Sequence, residues 1–376
     1  MSARFTIDGS DELETHLACV CEKVATGLRG AVPSPSLEAV LLGGGYGRGE
    51  GGVRRTPAGD RPYNDIEFYV CIRGQDFLNQ RKFGDALHHL AESLTPFAGI
   101  EVEFKITSLD KLCSGPTTMF LYDLAAGHRL LVGEPAAVRR LERHRDAATI
   151  PLYESTRLLM NRCTGLLFCA EQLERPRFSG EEADFVGRNH AKAELAFGDV
   201  LLASRGLYHW SCRERHQRLK ALPDLDPQIA AWHAQGVEFK LHPKKRSGWA
   251  ADFRPQQQQL KAAGEKLWLQ LESRRLDLPF ASARDYAFSS INKCPETSSL
   301  RNRAVNLKTF GLSAALQPVT RYPRQRLLES LALLLWQPGL LADSEALSRV
   351  QKNLRTRETT FDGLVGAYRS LWQKFN

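Results

Sequence analysis

The chain has no long apolar run. Its greasiest uncharged stretch lies near residues 331–336, far short of the 18 or more apolar residues that a membrane span needs. No apolar segment accompanies the acidic opening, residues 1–14, so a secretory leader is not expected. The 8 cysteines form no C-x-x-C pair and sit mostly in apolar periodic segments. That pattern points to reduced, buried thiols and a cytoplasmic location rather than to a disulfide scaffold or a zinc site. There is no H-E-x-x-H, no G-x-S-x-G and no Gly-Lys-Ser/Thr after a glycine run, which excludes zincin, α/β-hydrolase and P-loop chemistry. No internal repeat is present, and 29 glycines and 18 prolines without a period exclude collagen-like and low-complexity classes.

What remains is an ordinary globular composition, 43% apolar and 25% charged over 376 residues, long enough for two domains. Charge divides unevenly along it. Residues 1–150 carry 17 Lys+Arg against 20 Asp+Glu, whereas residues 151–376 carry 34 against 23. Two modules with different tasks are implied, the basic one able to face an anion such as a nucleoside triphosphate or RNA.

Periodicity gives the same division. Helical spacing over 8–30 is followed by a short apolar strand, Leu37–Leu42, that runs into Gly43-Gly44-Gly45. Residues 64–72 and 100–107 alternate as strands, with a helical stretch over 76–95 between them. After a helix near 117–126 and a short strand near 129–132, the strand signal fades. Residues 151–173, 180–206, 256–276, 323–336 and 361–375 all read as helices. The expected fold is α+β: a small mixed sheet with flanking helices in residues 1–148, then a larger all-helical domain in 149–376.

The chemistry concentrates in Leu41-Leu42-Gly43-Gly44-Gly45-Tyr46-Gly47-Arg48-Gly49-Glu50 and in Asn64-Asp65-Ile66-Glu67-Phe68. A glycine turn at a strand end lets backbone N–H groups approach an anion, because no Cβ intervenes. On the following strand Asp65 and Glu67, two apart, share one face while Ile66 and Phe68 turn into the core. Paired carboxylates beside such a turn suit Mg²⁺ bound together with a triphosphate. The strand over 100–107 offers Glu101 and Glu103 on a common face as a third carboxylate, enough for two Mg²⁺ ions and an in-line displacement at phosphorus.

The order of strand, Gly-Gly, Asp-hydrophobic-Glu-hydrophobic and a third acidic strand resembles the polymerase-β-type nucleotidyltransferase superfamily. The run Gly44 to Glu50 is close to its form in the uridylyltransferases that modify nitrogen-signalling proteins. It is also similar to antibiotic nucleotidyltransferases and to the minimal nucleotidyltransferases of toxin–antitoxin systems. The resemblance covers about residues 37–135. It implies Asp65, Glu67 and Glu103 as metal ligands and catalytic residues, with Glu103 preferred to Glu101 because of the run Phe104 to Asp110 that follows. It also implies a nucleotide cradle of Gly44, Gly45, Tyr46, Gly47 and Arg48. Two departures stand out: 19 residues separate Gly45 from Asp65, longer than the family pattern, and the third acid is Glu rather than Asp.

In the basic half, Arg188, Lys192 and Asp199 recur at i, i+4 and i+11 beside an apolar helix face, and Lys192 is a candidate triphosphate ligand. The cluster Tyr208, His209, Trp210, Arg213, Arg215, His216, Arg218 and Lys220 mixes aromatics with bases, as RNA binders do. The expected activity is transfer of an NMP group from an NTP to an acceptor hydroxyl with release of pyrophosphate. A small molecule or a protein is favoured as acceptor over RNA. The alternatives are an RNA-modifying enzyme and a non-catalytic, antitoxin-like nucleotide-binding scaffold. A dinucleotide fold is disfavoured: Gly47, Gly49 and Gly52 fit G-x-G-x-x-G, but the prolines and glycine that follow leave no room for its helix.

Overall fold

The computed structural model describes residues 4–317 and 320–375. It is α+β and divides into two compact units, Met1–Pro151 with Leu201–Lys244, and Leu152–Val200 with Lys245–Asn376. The first crossing lies beside the boundary expected at 148. Residues 201–244, expected within the helical domain, instead pack with the N-terminal unit. The loss of strand signal near residue 150 reports a change of secondary structure, and packing follows other rules. Tyr208 and Ala203 share a buried cluster with Tyr122 and Ile150.

The first unit opens with a helix, Asp11–Ala31, capped by Ser10, whose hydroxyl accepts from the Leu13 N–H at 3.3 Å. Asp11, Glu12 and Glu14 in its first turn match the positive end of the helix dipole. Then come β1 (Leu37–Leu42), a short helix Gly44–Arg48, a hairpin of β2 (Val53–Thr56) and β3 (Gly59–Pro62), and β4 (Ile66–Ile72). The helix Asp76–Ala98 leads to β5 (Val102–Thr107), and the helix Met119–Ala126 leads to β6 (Arg129–Gly133). The main sheet has the order β5-β4-β1-β6. β1 is antiparallel to β4 and to β6, and β4 is parallel to β5, so the sheet is mixed.

Strand alternation divides this sheet by parity. Val40, Leu42, Ile66, Phe68 and Val70 join Leu17, Val24, Leu28, Phe83 and Leu87 in one apolar cluster under the two long helices. Ala39, Leu41, Tyr69 and Cys71 join Leu109, Leu112, Leu121 and Leu124 on the other face. The odd-numbered face therefore also carries Glu67 and, through the β4–β5 register that pairs Glu67 with Glu103, the third acid. The 19-residue separation from Gly45 to Asp65 is filled largely by the β2–β3 hairpin, with no long helix in it.

The second unit is built of helices, among them Leu152–Leu173, Ala250–Leu276, Arg324–Trp336, Ser344–Leu354 and Phe361–Phe375. Among the described residues no helix is long and apolar enough to cross a membrane. A buried ionic knot joins three of its elements. Glu272, fully buried, accepts from Thr156 Oγ1 at 2.6 Å, from Tyr286 Oη at 2.8 Å, and from Arg275 Nε and Nη2 at 2.8 and 2.6 Å. Replacing Glu272 with Gln removes the nearer counter-charge of the buried Arg275 guanidinium and leaves it only Glu296, at 4.0 Å. The substitution is expected to cost about 3–5 kcal/mol of unfolding free energy, the range for breaking one side of a buried pair. Urea denaturation would show this as a fall in midpoint at constant slope.

Candidate active site

Three carboxylates converge at the start of β4 and β5. The carboxylate oxygens of Asp65, Glu67 and Glu103 lie within 4.8 Å of one another. Asp65 stands one residue before β4, where Asn64 takes φ +68°, a left-handed turn that Asn tolerates better than most residues. Glu101 is exposed and stands outside this group, so the structure brings Glu103 rather than Glu101 to the pair.

A cation already faces the carboxylates. Lys105, two residues after Glu103 on the same strand face, places Nζ 2.5 Å from Glu67 Oε1 and 3.3 Å from Glu103 Oε2. Burial works against its charge, but the hydrogen bond and attraction of Glu67, then of Glu103, outweigh it and hold the ammonium above the ordinary lysine range. Three acids against one base leave an excess of negative charge on hard oxygen donors, which is the donor chemistry of Mg²⁺ or Mn²⁺. The site thus fits a divalent cation, and Lys105 competes for the same oxygens.

The glycine turn covers Glu67. Gly44 has φ +61°, and a Cβ there would lie 3.2 Å from Glu67 Oε2, so the backbone reaches the carboxylate only because position 44 has no side chain. Gly44, Gly45 and Tyr46 line a pocket of about 170 Å³ together with Asp65, Glu67 and Lys240. The first N–H groups of a helix lack partners within it, so the start of Gly44–Arg48 offers donors at this pocket.

The other predicted cradle residues have different work. A Cβ on Gly47 would lie 2.4 Å from the Leu42 carbonyl oxygen, so this glycine permits close packing on β1 and does not line the pocket. Arg48 is not a pocket residue either: its Nη1 lies 3.1 Å from Asp123 Oδ2, within the Tyr122-Asp123-Leu124 segment. Tyr46 is buried, with its hydroxyl 2.9 and 3.0 Å from the carbonyls of Gly52 and Tyr63 and accepting from the Tyr63 N–H at 2.8 Å. It pins both ends of the β2–β3 hairpin to the turn. Burial raises its phenol pKa.

Lys192 belongs to the second unit and is exposed on the helix Gly180–Ala203. The pocket's lysine is Lys240, on the helix Pro227–Leu241, which the sequence reading missed. Its Nζ lies 3.5 Å from Glu50 Oε2. Burial, and then the charge of Arg215, lower its pKa, while Glu50 opposes them. Glu50 itself is buried, accepting from Ser211 Oγ at 2.6 Å and from the Cys212 N–H at 3.0 Å. Burial would raise its pKa, but Lys240, Ser211 and the Cys212 N–H reverse that and leave it below the ordinary glutamate value. A lysine set between Val237, Phe239 and Leu241 was the available signal for Lys240.

Two bases of the aromatic–basic cluster are also put to structural use. Arg215 is buried and donates through Nη1 to the His209 and Trp210 carbonyls at 2.8 and 3.0 Å. Arg218 donates through Nε to Glu214 at 2.9 Å and through Nη1 to the Leu207 and Tyr208 carbonyls. These bases hold their own loop.

Comparison with protein-family models, with curated proteins and with solved structures finds no match to this chain. The functional reading therefore stands on the arrangement of these residues.

Two outcomes follow. Tyr46→Phe removes the hydroxyl that serves three backbone groups and is expected to cost about 1–3 kcal/mol. Trypsin should then cut faster after Arg54 and Arg55 in a limited-digestion time course; an unchanged time course would show that the hydroxyl does not anchor the hairpin. Lys105→Met removes the competing charge from Glu67 and Glu103, and calorimetric Mn²⁺ affinity is expected to rise by about tenfold or more. An unchanged or weaker Mn²⁺ affinity would show that Lys105 does not compete for those oxygens.

Proposed function

We propose that this chain is a metal-dependent nucleotidyltransferase that moves an NMP group from an NTP to an acceptor hydroxyl and releases pyrophosphate. The observation that carries the reading is the convergence of Asp65, Glu67 and Glu103 beside the glycine turn. Lys240 supports it from the pocket's other wall.

Asp65, Glu67 and Glu103 would hold two Mg²⁺ ions, which when bound neutralise phosphate charge and acidify a hydroxyl. The remaining chemistry belongs to the chain. The N–H groups at the Gly44–Arg48 helix start and the Lys240 ammonium hold the phosphates of the departing pyrophosphate. The pocket's volume suits phosphates and leaves the nucleoside outside it. Asp65 is exposed, which leaves that end of the carboxylate group open to an acceptor. The acceptor oxygen attacks the α-phosphorus, a new P–O bond forms, and the bond to pyrophosphate breaks. A Glu103 carboxylate oxygen takes the acceptor proton.

The structural use of Arg215 and Arg218 takes two bases away from RNA binding and supports a small molecule or a protein as acceptor. A second reading, a nucleotide-binding scaffold without transfer, is favoured by one observation: Lys105 partly neutralises the carboxylates.

Incubating the protein with labelled NTPs and a cell extract, then separating small molecules, RNA and protein, tests both. Label is expected in the small-molecule or protein fraction. It should be abolished by chelator and reduced by several orders of magnitude in Asp65→Asn, Glu67→Gln and Glu103→Gln, while Glu101→Gln stays near the parent. NTP binding without transfer to any fraction favours the scaffold. Full transfer by a folded Glu67→Gln protein places the chemistry elsewhere.

A further inference from the structure

A second charged cavity, unrelated to the carboxylate site, lies in the second unit. It has a volume of about 610 Å³ and is lined by Arg321, Arg326, Arg349, Lys352 and Arg355 against a single carboxylate, Glu329. That carboxylate is already saturated. Buried Glu329 accepts through Oε1 from Gln325 Nε2 at 2.9 Å and Lys293 Nζ at 3.3 Å. Its Oε2 accepts from Asn353 Nδ2 at 3.0 Å and pairs with Arg349 Nη2 at 3.0 Å.

Two of the bases, Arg326 and Arg355, are held by contacts of their own. The Arg326 and Arg355 guanidiniums both stack on the Phe310 ring, 4.9 and 5.2 Å from its centroid. Arg326 Nη1 donates to the carbonyls of Lys352 and Asn353 at the end of the helix Ser344–Leu354. Arg355 Nη1 donates to the Phe310 carbonyl at 2.8 Å, the end of the helix Ser299–Phe310. Capping helix ends explains one nitrogen of each fork. It does not explain the rest. Lys352 is exposed, and among the described residues the buried Nε of Arg349 has no hydrogen-bond partner, although its Nη2 meets Glu329 and the Ala287 carbonyl. Like charges gathered in one concavity repel, and a bound anion would relieve them.

We propose that this cavity binds a small molecule bearing two or more phosphate groups. Guanidinium forks match phosphate oxygens two at a time, and rigid stacking on Phe310 lowers the entropy lost on binding. The cavity's size falls in the range of small-ligand sites. A nucleic-acid strand would need aromatic faces free for base stacking, and the Phe310 ring is already flanked by two guanidiniums.

The test is calorimetric titration of the full chain with inorganic tripolyphosphate in the presence of chelator, paired with thermal melting. Saturable binding and a rise in melting temperature with ligand concentration are expected. The double variant Arg321→Glu with Lys352→Glu should lose at least tenfold in affinity. Lys352→Gln alone, at an exposed position, should lose several-fold with its melting temperature unchanged in the absence of ligand. Absence of saturable binding would overturn the proposal. So would equal affinity in parent and variants, which would place the anion elsewhere, including at the glycine turn. Tighter binding of a ten-nucleotide RNA than of tripolyphosphate, lost in the same variants, would overturn the assignment to a small ligand.

Discussion

The candidate active site depends on one buried carboxylate that takes no part in the proposed chemistry. Glu50 ends the glycine run, its N–H donating to the Gly45 carbonyl at 2.9 Å, and its side chain reaches residues more than 160 positions away in sequence. By accepting from Ser211 and the Cys212 N–H it fastens the start of the helix Cys212–Lys220 to the turn. By pairing with Lys240 it fixes the only lysine of the pocket lining over the same turn. A carboxylate buried to this degree is tolerated only when its oxygens are filled, and three partners fill them. The consequence is that residues 201–244 belong with the sheet. The glycine turn and Lys240 then become parts of one unit and line one pocket.

Sheet register supplies the other half of the site. Parallel pairing of β4 with β5 sets Glu67 opposite Glu103, and strand parity turns Lys105 to the same side. Carboxylates on adjacent strands repel, and the fold answers by setting the Lys105 ammonium against Glu67 and Glu103. An ammonium is a compact, single charge on a flexible stem, able to leave when a divalent cation offers more. A permanent arginine fork at position 105 would hold two carboxylates far more tenaciously.

Much of this was legible in the sequence, because strand alternation is a local property. The period of two over 64–72 and 100–107 separates acids from core residues without any tertiary knowledge, and the glycine turn announces itself by composition. The two faces of the sheet and the long helices of the second unit follow from the same local rules, whereas the β2–β3 hairpin in the long separation was not read from the sequence. What stayed hidden were the long-range pairings. Arg48 reads as a phosphate ligand until Asp123 is found beside it. Lys240 reads as one solvated base among many until Glu50 is seen beneath it. The i, i+4 spacing of Arg188 and Lys192 suggested a functional face, yet Arg188 lies 3.1 Å from Asp184, one turn earlier, as one half of an ordinary helical ion pair.

The carboxylate group and the basic cavity obey one electrostatic logic with opposite signs. Each gathers like charges on rigid elements, and each supplies one internal counter-ion that is insufficient: Lys105 against three acids, Glu329 against five bases. Folding stability alone does not favour either arrangement, since apolar or alternating residues would pack at lower electrostatic cost. An internal counter-ion lowers the repulsion within each group, while the remaining charge leaves each with one net sign. Carboxylates converging within 4.8 Å suit a small hard cation, whereas guanidiniums spread around about 610 Å³ suit an anion with several separated oxygens.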